Sequence, residues 1–311
     1  DALCDTEECY VGSVLEHIEE CGIHSGDSAC CWPPFSLSEK IVDQIRAITK
    51  KLALACGIRG LLNIQYAVRD EHVFVIELNP RASRTVPFSS KATGVSLAKY
   101  ASRIMAGEKI SELRAQGLLP DENRTVDYYA VKEAVMPWSR FPGADSILGP
   151  EMKSTGEVMG IARTFPAAYA KTREAVENKL PEQGSVFISV CDRDKRAIAP
   201  VAMALENLGY GIYTTGGTAK TLRAAGIDCT TVNRISDGHP NVVDLMRDKT
   251  VSFIINTPHG HEAHSDGTKM RAEAVSQGIT CVTAMSAATA LIQALAAARK
   301  SEPETFALQD L

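Results

Sequence analysis

The chain has 311 residues, of which 45% are hydrophobic, and it carries a formal net charge of −5 with a pI near 5.9. This length and apolar content suffice for a buried core and predict about two domains. An acidic balance without Lys/Arg clusters interleaved with aromatic residues argues against a general nucleic-acid binder. No apolar stretch is long enough to span a bilayer, and the acidic N-terminus is unlike a signal peptide. We therefore predict a cytoplasmic globular protein with neither membrane nor nucleic-acid partners.

The nine cysteines fit a reducing compartment. They are odd in number and contain no Cys-x-x-Cys pair, so neither a disulfide framework nor a zinc ribbon is indicated. The chain begins at Asp1 rather than at methionine. We expect it to be a piece of a longer polypeptide.

The first region of interest is the loop Gly22-Ile23-His24-Ser25-Gly26-Asp27-Ser28. Its small residues allow backbone N–H groups, a His ring and hydroxyls to approach an anion or a ribose. A plain connecting loop is the alternative. The amphipathic pattern of residues 36–55 then predicts a helix that packs on the core.

Two apolar runs, residues 60–68 and 73–78, are separated by a short polar turn and predict a β-hairpin. Side chains two apart on a strand share a face, so Glu77 and Asn79 would project together, and Gln65 of the first run can join them. Such oxygen ligands suit Mg²⁺ bound to a nucleotide phosphate. The alternative is a surface strand end with ordinary ion pairs, and the sequence does not fix the register.

Pro80 ends the second strand, and two arginines follow it. Arg81 and Arg84 are spaced like neighbours on a helical turn. Guanidinium groups match phosphate oxygens, so the pair could bind a phosphate.

The rest of the first half is less regular, and it ends in a charged helix end and linker at residues 171–184 that we predict as the domain boundary. The predicted domains are therefore 1–183 and 184–311. Before the boundary the pattern predicts a helix at 94–106, an irregular polar stretch at 107–124, a strand at 127–136 and a long structured loop at 138–152.

The second half alternates strands with helices, which predicts βαβ units and a parallel sheet covered on both faces. The predicted strands are 186–190, 211–214, 251–255 and 281–282, and the predicted helices are 196–208, 218–225, 270–277 and 286–299. Thr215, Gly216, Gly217 and Thr218 lie at a strand-to-helix junction, where free N–H groups and the helix dipole favour phosphate. Lys195, Arg234 and Asn256 are predicted at the same carboxyl edge of the sheet, where ligands of open α/β sheets bind.

The run His259-Gly260-His261-Glu262-Ala263-His264 offers imidazole ligands for a metal. It lacks a second carboxylate-rich shell and lies among Gly and Ser residues. A solvated loop near the ligand is the preferred interpretation.

Several motifs in order resemble one family. They are Glu16-His17-Ile18-Glu19, Ile23-His24-Ser25-Gly26-Asp27-Ser28, Gln65, the segment from Val75 to Phe88, Ser90-Lys91-Ala92-Thr93-Gly94-Val95, and the segment from Leu148 to Gly160. Together they closely resemble the second ATP-grasp unit of the carbamoyl phosphate synthetase large subunit. Residues from Val186 to about Ala298 resemble the methylglyoxal-synthase-like regulatory domain that ends that subunit. The implied fold class is α/β: part of an ATP-grasp domain with an antiparallel sheet, followed by a methylglyoxal-synthase-like parallel α/β sandwich.

The resemblance implies ATP-dependent phosphorylation of carbamate to carbamoyl phosphate, for pyrimidine and arginine synthesis. The implied cofactors are ATP with Mg²⁺ or Mn²⁺, and K⁺. Gln65, Glu77 and Asn79 would be the metal ligands, and Arg81 and Arg84 would be catalytic groups that handle the transferred phosphate. The nucleotide-binding residues would be Gly22, Ile23, His24, Ser25, Gln65 and Glu77.

For the regulatory domain, the resemblance implies an inhibitory nucleotide such as UMP. The matching positions are Lys195, Thr215, Thr218, Arg234 and Asn256. A related activator site would comprise Glu19, Asp27, Glu133 and Thr283, for which interdomain polar packing is the alternative. Pro258 and Gly267 stand where some relatives have hydroxyl residues, and Cys281 replaces an aromatic residue associated with ornithine activation, so UMP-type inhibition is expected rather than an ornithine response.

The resemblance also implies partners: the rest of the large subunit, a glutaminase small subunit that supplies ammonia, and further copies in an oligomer. The family's ATP-grasp unit needs an upstream glycine-rich phosphate lid, so we expect this chain alone to be inactive. Two alternatives remain: a free-standing nucleotide-binding regulator, or an enzyme like methylglyoxal synthase. The second is disfavoured because an aspartate in an Asp-Pro setting is not found.

Overall fold

The structure, a computed structural model, describes residues 1–176, 181–258, 266–300, 304–305 and 307–310. Within these ranges no helix is long and apolar enough to cross a membrane. All nine cysteines are free.

The strands and helices of the described residues are numbered in chain order. The strands are β1 (Ala2–Asp5), β2 (Cys9–Val11), β3 (Glu16–His17), β4 (Cys30–Trp32), β5 (Arg59–Arg69), β6 (His72–Asn79), β7 (Tyr129–Val135), β8 (Gly156–Ala162), β9 (Ser185–Ser189), β10 (Gly211–Thr215), β11 (Thr230–Val232), β12 (Phe253–Asn256) and β13 (Thr280–Val282). The helices are α1 (Glu39–Ala55), α2 (Thr85–Thr93), α3 (Leu97–Met105), α4 (Ile110–Ala115), α5 (Phe165–Ala175), α6 (Lys195–Asn207), α7 (Gly216–Ala224), α8 (Val242–Arg247), α9 (Asp266–Gln277) and α10 (Met285–Ala298).

Three sheets organise the chain. The first has the order β2-β1-β5-β6 and the second the order β3-β4-β7-β8, and both are antiparallel. The third has the order β11-β10-β9-β12-β13 and is parallel throughout. The parallel sheet predicted from the alternating pattern is therefore confirmed.

The predicted hairpin is formed by β5 and β6. Its turn residues Asp70 and Glu71 have φ values of 50° and 61°, the left-handed conformation that a tight two-residue hairpin turn requires. The register shifts between Gln65 and Tyr66, a bulge that the apolar pattern does not encode.

β6 is an edge strand of the first sheet, and its apolar side chains are open to solvent. Phe74, Val75 and Ile76 are 52%, 46% and 52% exposed. Consecutive residues point to opposite faces of a strand, so at these three positions the described residues leave both faces of β6 open. Val73 and Leu78, by contrast, pack against buried clusters.

The prediction of a helical turn through both arginines is wrong. Arg81 lies in a bend and Arg84 caps α2, which begins at Thr85. The hydroxyls of Ser83 and Thr85 each donate to the Asp1 carboxylate, at 2.7 and 2.6 Å. These contacts hold residues 83–85 against the first sheet and delay the start of the helix.

The two halves share a hydrophobic cluster between α5 and α10. Ala290 and Ala294 of α10 pack with Phe165, Ala168 and Tyr169 of α5. On its other side α5 approaches β8 closely, because a Cβ at Gly160 would lie 2.3 Å from the carbonyl oxygen of Ala168. A glycine is required there for the helix to reach the sheet.

Candidate functional site

A cavity of about 500 Å³ opens beside the β5–β6 hairpin. The residues predicted to bind the nucleotide all line it: Gly22, Ile23, His24, Ser25, Gln65 and Glu77. We call it the first cavity. Asn79 does not line it directly but contacts Glu77.

The predicted cation ligands are brought together by the hairpin register. Gln65 is directly opposite Glu77, and its Nε2 donates to Glu77 Oε1 at 3.0 Å. Asn79 Nδ2 donates to the same oxygen at 2.8 Å. Two amides and one carboxylate therefore converge on a single point.

The donor set of this cluster suits a hard divalent cation. A half-turn of each amide would replace its NH₂ group by a carbonyl oxygen, so that Gln65, Glu77 and Asn79 would present only oxygen atoms. Mg²⁺ prefers such ligands and uses few of them, completing its shell with phosphate and water. The residues fit the predicted metal.

The loop after β3 shapes the opposite wall. Gly22 has a φ of 99°, which favours glycine. The ring Nδ1 of His24 accepts from the N–H of Gly26 at 3.0 Å, so a neutral imidazole carries its proton on Nε2. The backbone N–H of His24 in turn donates to the carbonyl oxygen of Gly149 at 2.8 Å.

Lys132 is a positioning residue that the sequence reasoning missed. It is fully buried on β7, and its Nζ donates to the carbonyl oxygens of Ser25 and Gly26, each at 3.2 Å. These two contacts hold in place the loop that lines the first cavity. The signal for it was the charged pair Lys132-Glu133 within an otherwise apolar strand.

The two arginines lie apart from the residues that line the first cavity. Arg81 is exposed and donates to the carbonyl oxygen of Ala82. Arg84 donates from Nη1 to Ser154, at 3.2 Å to its carbonyl oxygen and 3.0 Å to its hydroxyl. Arg84 is therefore linked to the segment that leads into β8.

The predicted activator residues are only partly gathered. Glu133 accepts hydrogen bonds from Thr172, at 2.9 Å, and from Arg173, while Asp27 accepts from the N–H groups of Lys153 and Ser154 at 2.8 and 2.9 Å. Glu19 lines the first cavity, and Thr283 follows β13. Burial, reinforced by the nearby Glu133 charge, raises the pKa of Glu19 to about 8.

This carboxyl makes stability depend on pH. The pKa of Glu19 is about 8 in the folded chain and near 4.5 when unfolded, so its contribution is complete below pH 4.5 and is lost as pH rises through 8. Burial lowers the pKa of His17 from 6.5 to about 4. This group therefore makes the free energy of unfolding rise with pH, but only up to pH 6.5. Burial also lowers the pKa of the Asp1 N-terminal ammonium from 8.0 to about 6, which adds a slope opposite to that of Glu19 between those values. The Glu19 contribution between pH 6.5 and 8 is therefore expected as a fall in the free energy of unfolding relative to a variant that lacks this carboxyl. The slope of this relative fall is at most about 1.4 kcal/mol per pH unit.

Urea titrations across that pH interval should show the free energy of unfolding of the wild type falling relative to that of Glu19→Gln. The exposed neighbour Glu20, which pairs with Arg193, provides the control Glu20→Gln. Parallel profiles for the wild type and Glu19→Gln would show that Glu19 does not ionise in this range.

A second cavity, of about 420 Å³, lies at the carboxyl edge of the parallel sheet. All five residues predicted for the regulatory nucleotide line it: Lys195, Thr215, Thr218, Arg234 and Asn256. The strand-to-helix junction that was predicted there runs from β10 into α7.

The second cavity is cationic, but its cations are partly neutralised. Lys195 pairs with Asp192, and Arg234 is exposed at the rim. A third cation, Arg271 of α9, also lines the cavity, and sequence reasoning missed it. Its Nη1 donates to Asn256 Oδ1 at 2.9 Å.

Within the described ranges no group of three or more His, Cys, Asp or Glu side chains is placed to hold a metal ion. The predicted histidine run, residues 259–264, lies outside them.

Two family models match the chain. Residues 5–113 match "Carbamoyl-phosphate synthase L chain, ATP binding domain", and residues 197–283 match "MGS-like domain". The first match covers the β5–β6 hairpin, and the second covers most of the parallel sheet.

Similar curated proteins extend the match to nearly the whole chain. The carbamoyl phosphate synthase large chain of Corynebacterium glutamicum is 48% identical over 327 residues, covering 100% of this chain and 29% of the relative. That of Acidobacterium capsulatum is 46% identical over 310 residues, covering 99% and 28%. The "Carbamoyl phosphate synthase large chain, C-terminal section" of Aquifex aeolicus is 44% identical over 318 residues, covering 98% and 59%.

Among solved structures, the biotin carboxylase domain of a thermophilic 2-oxoglutarate carboxylase bound to bicarbonate has a TM-score of 0.40 and 19% identity, covering 58% of this chain and 45% of that chain. This similarity is too weak to support an inference about the site.

The chain spans less than a third of the length of most of these curated relatives. The family models and the sheet arrangement confirm the predicted fold class, an antiparallel ATP-grasp part followed by a methylglyoxal-synthase-like parallel part. Because its matches run along its full length and include a relative named as a C-terminal section, the chain belongs to the carbamoyl phosphate synthase large-chain family and corresponds to a C-terminal portion of it.

Proposed function

We propose that the first cavity is part of an ATP site that phosphorylates carbamate, and that the second cavity senses a regulatory nucleotide such as UMP. The convergence of Gln65 and Asn79 on Glu77, at the mouth of a cavity of about 500 Å³, carries the first assignment. The divisions 1–183 and 184–311 are proposed as the catalytic and regulatory domains.

The proposed chemistry needs little covalent work from the protein. Phosphoryl transfer depends on positioning the phosphates and neutralising their charge. A divalent cation, Mg²⁺ or Mn²⁺, would neutralise much of the phosphate charge when bound. Gln65, Glu77 and Asn79 would hold this cation. His24 Nε2–H and the backbone around Gly22 would meet the nucleotide. Carbamate would accept the transferred phosphoryl group, while Arg81 and Arg84 would bind that group and neutralise its charge.

The wider function follows the family and is likewise proposed. The active assembly would comprise the rest of the large subunit and a glutaminase small subunit in the cytoplasm, as a glutamine-hydrolysing synthase that also uses K⁺. The chain alone would bind nucleotide but would not complete the reaction.

The test of the first assignment is cation-dependent nucleotide binding. Free Mn²⁺ is measured by electron paramagnetic resonance while ADP is titrated into the chain. Loss of a residue that only supports a metal ligand weakens metal binding about 10–100-fold. Loss of a ligand itself should cost at least as much, so Glu77→Ala is expected to bind Mn²⁺·ADP at least about 10–100-fold more weakly than the wild type. In the whole protein the same substitution should abolish formation of ATP from ADP and carbamoyl phosphate.

A matched control is available on the same hairpin. Glu71 is 71% exposed at the turn, where it pairs only with the exposed Lys40 among the described residues. Glu71→Ala should bind Mn²⁺·ADP as the wild type does. Equal affinities for all three proteins would refute the cation site, and UMP binding without cation-dependent ADP binding would favour a nucleotide-binding regulator.

A further inference from the structure

An ion pair between the two halves of the chain involves one of the residues that line the second cavity. Arg271 donates from Nε to Asp145 Oδ1 at 2.5 Å and from Nη2 to Asp145 Oδ2 at 2.7 Å. The Arg271 side chain is 5% exposed and that of Asp145 is 25% exposed. Such a two-point contact is among the stronger polar interactions of proteins, and its partial burial protects it from screening.

In this ion pair Asp145 binds the Arg271 guanidinium, a cationic group that faces the proposed anion site. Arg271 lines the second cavity with Lys195 and Thr218. Besides Asp145, its Nη1 donates to Asn256 Oδ1 and its Nη2 donates to Thr268 Oγ1 at 3.3 Å. Asp145 itself comes from the first half of the chain, 126 residues earlier. A phosphate group in the cavity would therefore compete with Asp145 for the guanidinium.

Asp145 begins a short stretch that also touches the first cavity. We call residues 145–154 the linking segment. The carbonyl oxygen of Gly149 accepts from the N–H of His24, and Pro150 lines the first cavity. At its end, Ser154 accepts from Arg84 and donates its N–H to the Asp27 carboxylate at 2.9 Å.

We propose that Arg271 is a phosphate-binding residue of the second cavity, and that Asp145 competes with the ligand for it. This inference rests on the proposed function, in which the second cavity takes a nucleotide phosphate. When the ligand takes the guanidinium, the linking segment loses its anchor at Asp145. The contacts at His24 and Arg84 then change, and the two cavities are coupled.

Coupling of this kind is reciprocal. A ligand that releases the linking segment changes the nucleotide affinity of the first cavity by the same factor by which that nucleotide changes the ligand's affinity. The usual range for such factors is about 5–150-fold. If Asp145 competes for the guanidinium, removing its carboxylate should tighten anion binding. Removing one partner of a merely structural ion pair would not have that effect.

The chain contains a reporter for the linking segment. Trp138 stands just before it, with Lys153 Nζ 5.8 Å from the centre of its ring. The chain has two tryptophans, so the background Trp32→Phe leaves Trp138 as the single tryptophan, which can be excited selectively over the eight tyrosines. Its fluorescence reports rearrangement of residues 145–154.

The experiment measures the binding of inorganic phosphate and of UMP by calorimetry, and the fluorescence of Trp138 during each titration. Asp145→Asn is expected to bind both about 10-fold more tightly, within the usual coupling range, and to lose the fluorescence change. Arg271→Gln should bind both more weakly. Arg271→Lys, which keeps the charge but loses the fork, should be intermediate and guards against misfolding of the other variants.

The control is Asp127→Asn, which removes an exposed carboxylate paired with Arg163 elsewhere in the first half. It should match the wild type. If the wild type binds UMP but Asp145→Asn binds with equal or lower affinity, the competition is refuted while nucleotide sensing stands. If the wild type binds neither probe, the proposed sensing function fails and the inference fails with it.

Discussion

Replacing Arg173 by methionine is expected to lower the free energy of unfolding by about 3–5 kcal/mol, the usual result of removing one partner of a buried ion pair. Arg173 and Glu133 have side chains that are 10% and 11% exposed, and they contact each other between α5 and β7. Arg173→Met leaves the Glu133 carboxylate in a nearly dry site with only Thr172 as a side-chain donor within the described residues. The measurement is urea unfolding followed by circular dichroism.

Two further variants separate the buried charge from simple loss of packing. The double variant Glu133→Leu with Arg173→Met removes both charges and should recover most of the lost stability, because a buried ion pair can be replaced by apolar groups at little cost. The control Arg163→Met breaks a solvent-exposed pair with Asp127 and should change stability by at most about 1 kcal/mol. A double variant as unstable as Arg173→Met would contradict the explanation.

Gly160→Ala is expected to destabilise the chain by about 3 kcal/mol or more, at the upper end of the range for overpacked sites. The new Cβ would lie 2.3 Å from the carbonyl oxygen of Ala168 and 2.9 Å from the Cβ of Lys171. Both atoms belong to α5: one is a backbone oxygen and the other is the first side-chain carbon, whose position the helix backbone fixes. Neither can rotate away as the far end of a flexible side chain would. The helix must therefore move off β8, and it would take with it the contact to Glu133 and the packing on α10.

The same strand offers a matched control for this prediction. A Cβ at Gly156 would meet only the Val135 side chain, at 3.7 and 3.8 Å, which is ordinary contact. Gly156→Ala should therefore be neutral or slightly stabilising, within about 1 kcal/mol, because alanine loses less backbone entropy than glycine. Thermal unfolding of both variants distinguishes the sites, and equal midpoints would show that α5 accommodates the extra atom.

Much of the fold could be predicted where apolar periodicity was strong. The hairpin, α1 and most of the alternating second half follow from regular runs separated by turns, and their observed boundaries lie within four residues of the predicted ones. The short elements β11 and α8 were not predicted. By contrast, α2 has the sequence TVPFSSKAT, with weak helix formers and an internal proline. It forms because Thr85 and Ser89 donate to Asp1, contacts far apart in sequence. β8 was also not predicted from the sequence, because Gly156 and Gly160 weaken its strand pattern.

Some residues of the candidate site could likewise be predicted from local patterns, and others could not. Glu77 and Asn79 could be paired from strand alternation alone, but the position of Gln65 opposite Glu77 depends on a bulge. Lys132 and Arg271 reach their cavities from distant elements, and no local pattern links Asp145 to Arg271. Tertiary contacts of this separation are set by how the halves pack.

Among the described residues no strand pairs with the outer edge of β6, and this has a consequence for how the chain behaves in solution. An uncovered edge strand with exposed apolar side chains is a template for pairing with another strand, and natural edges usually carry charges that prevent it. Phe74, Val75 and Ile76 offer no such charge, so copies of this chain are expected to associate edge to edge as concentration rises. Glu77 and Asn79 end the same strand, and self-association would therefore cover the cation ligands and make the first cavity bind more weakly in concentrated samples than in dilute ones.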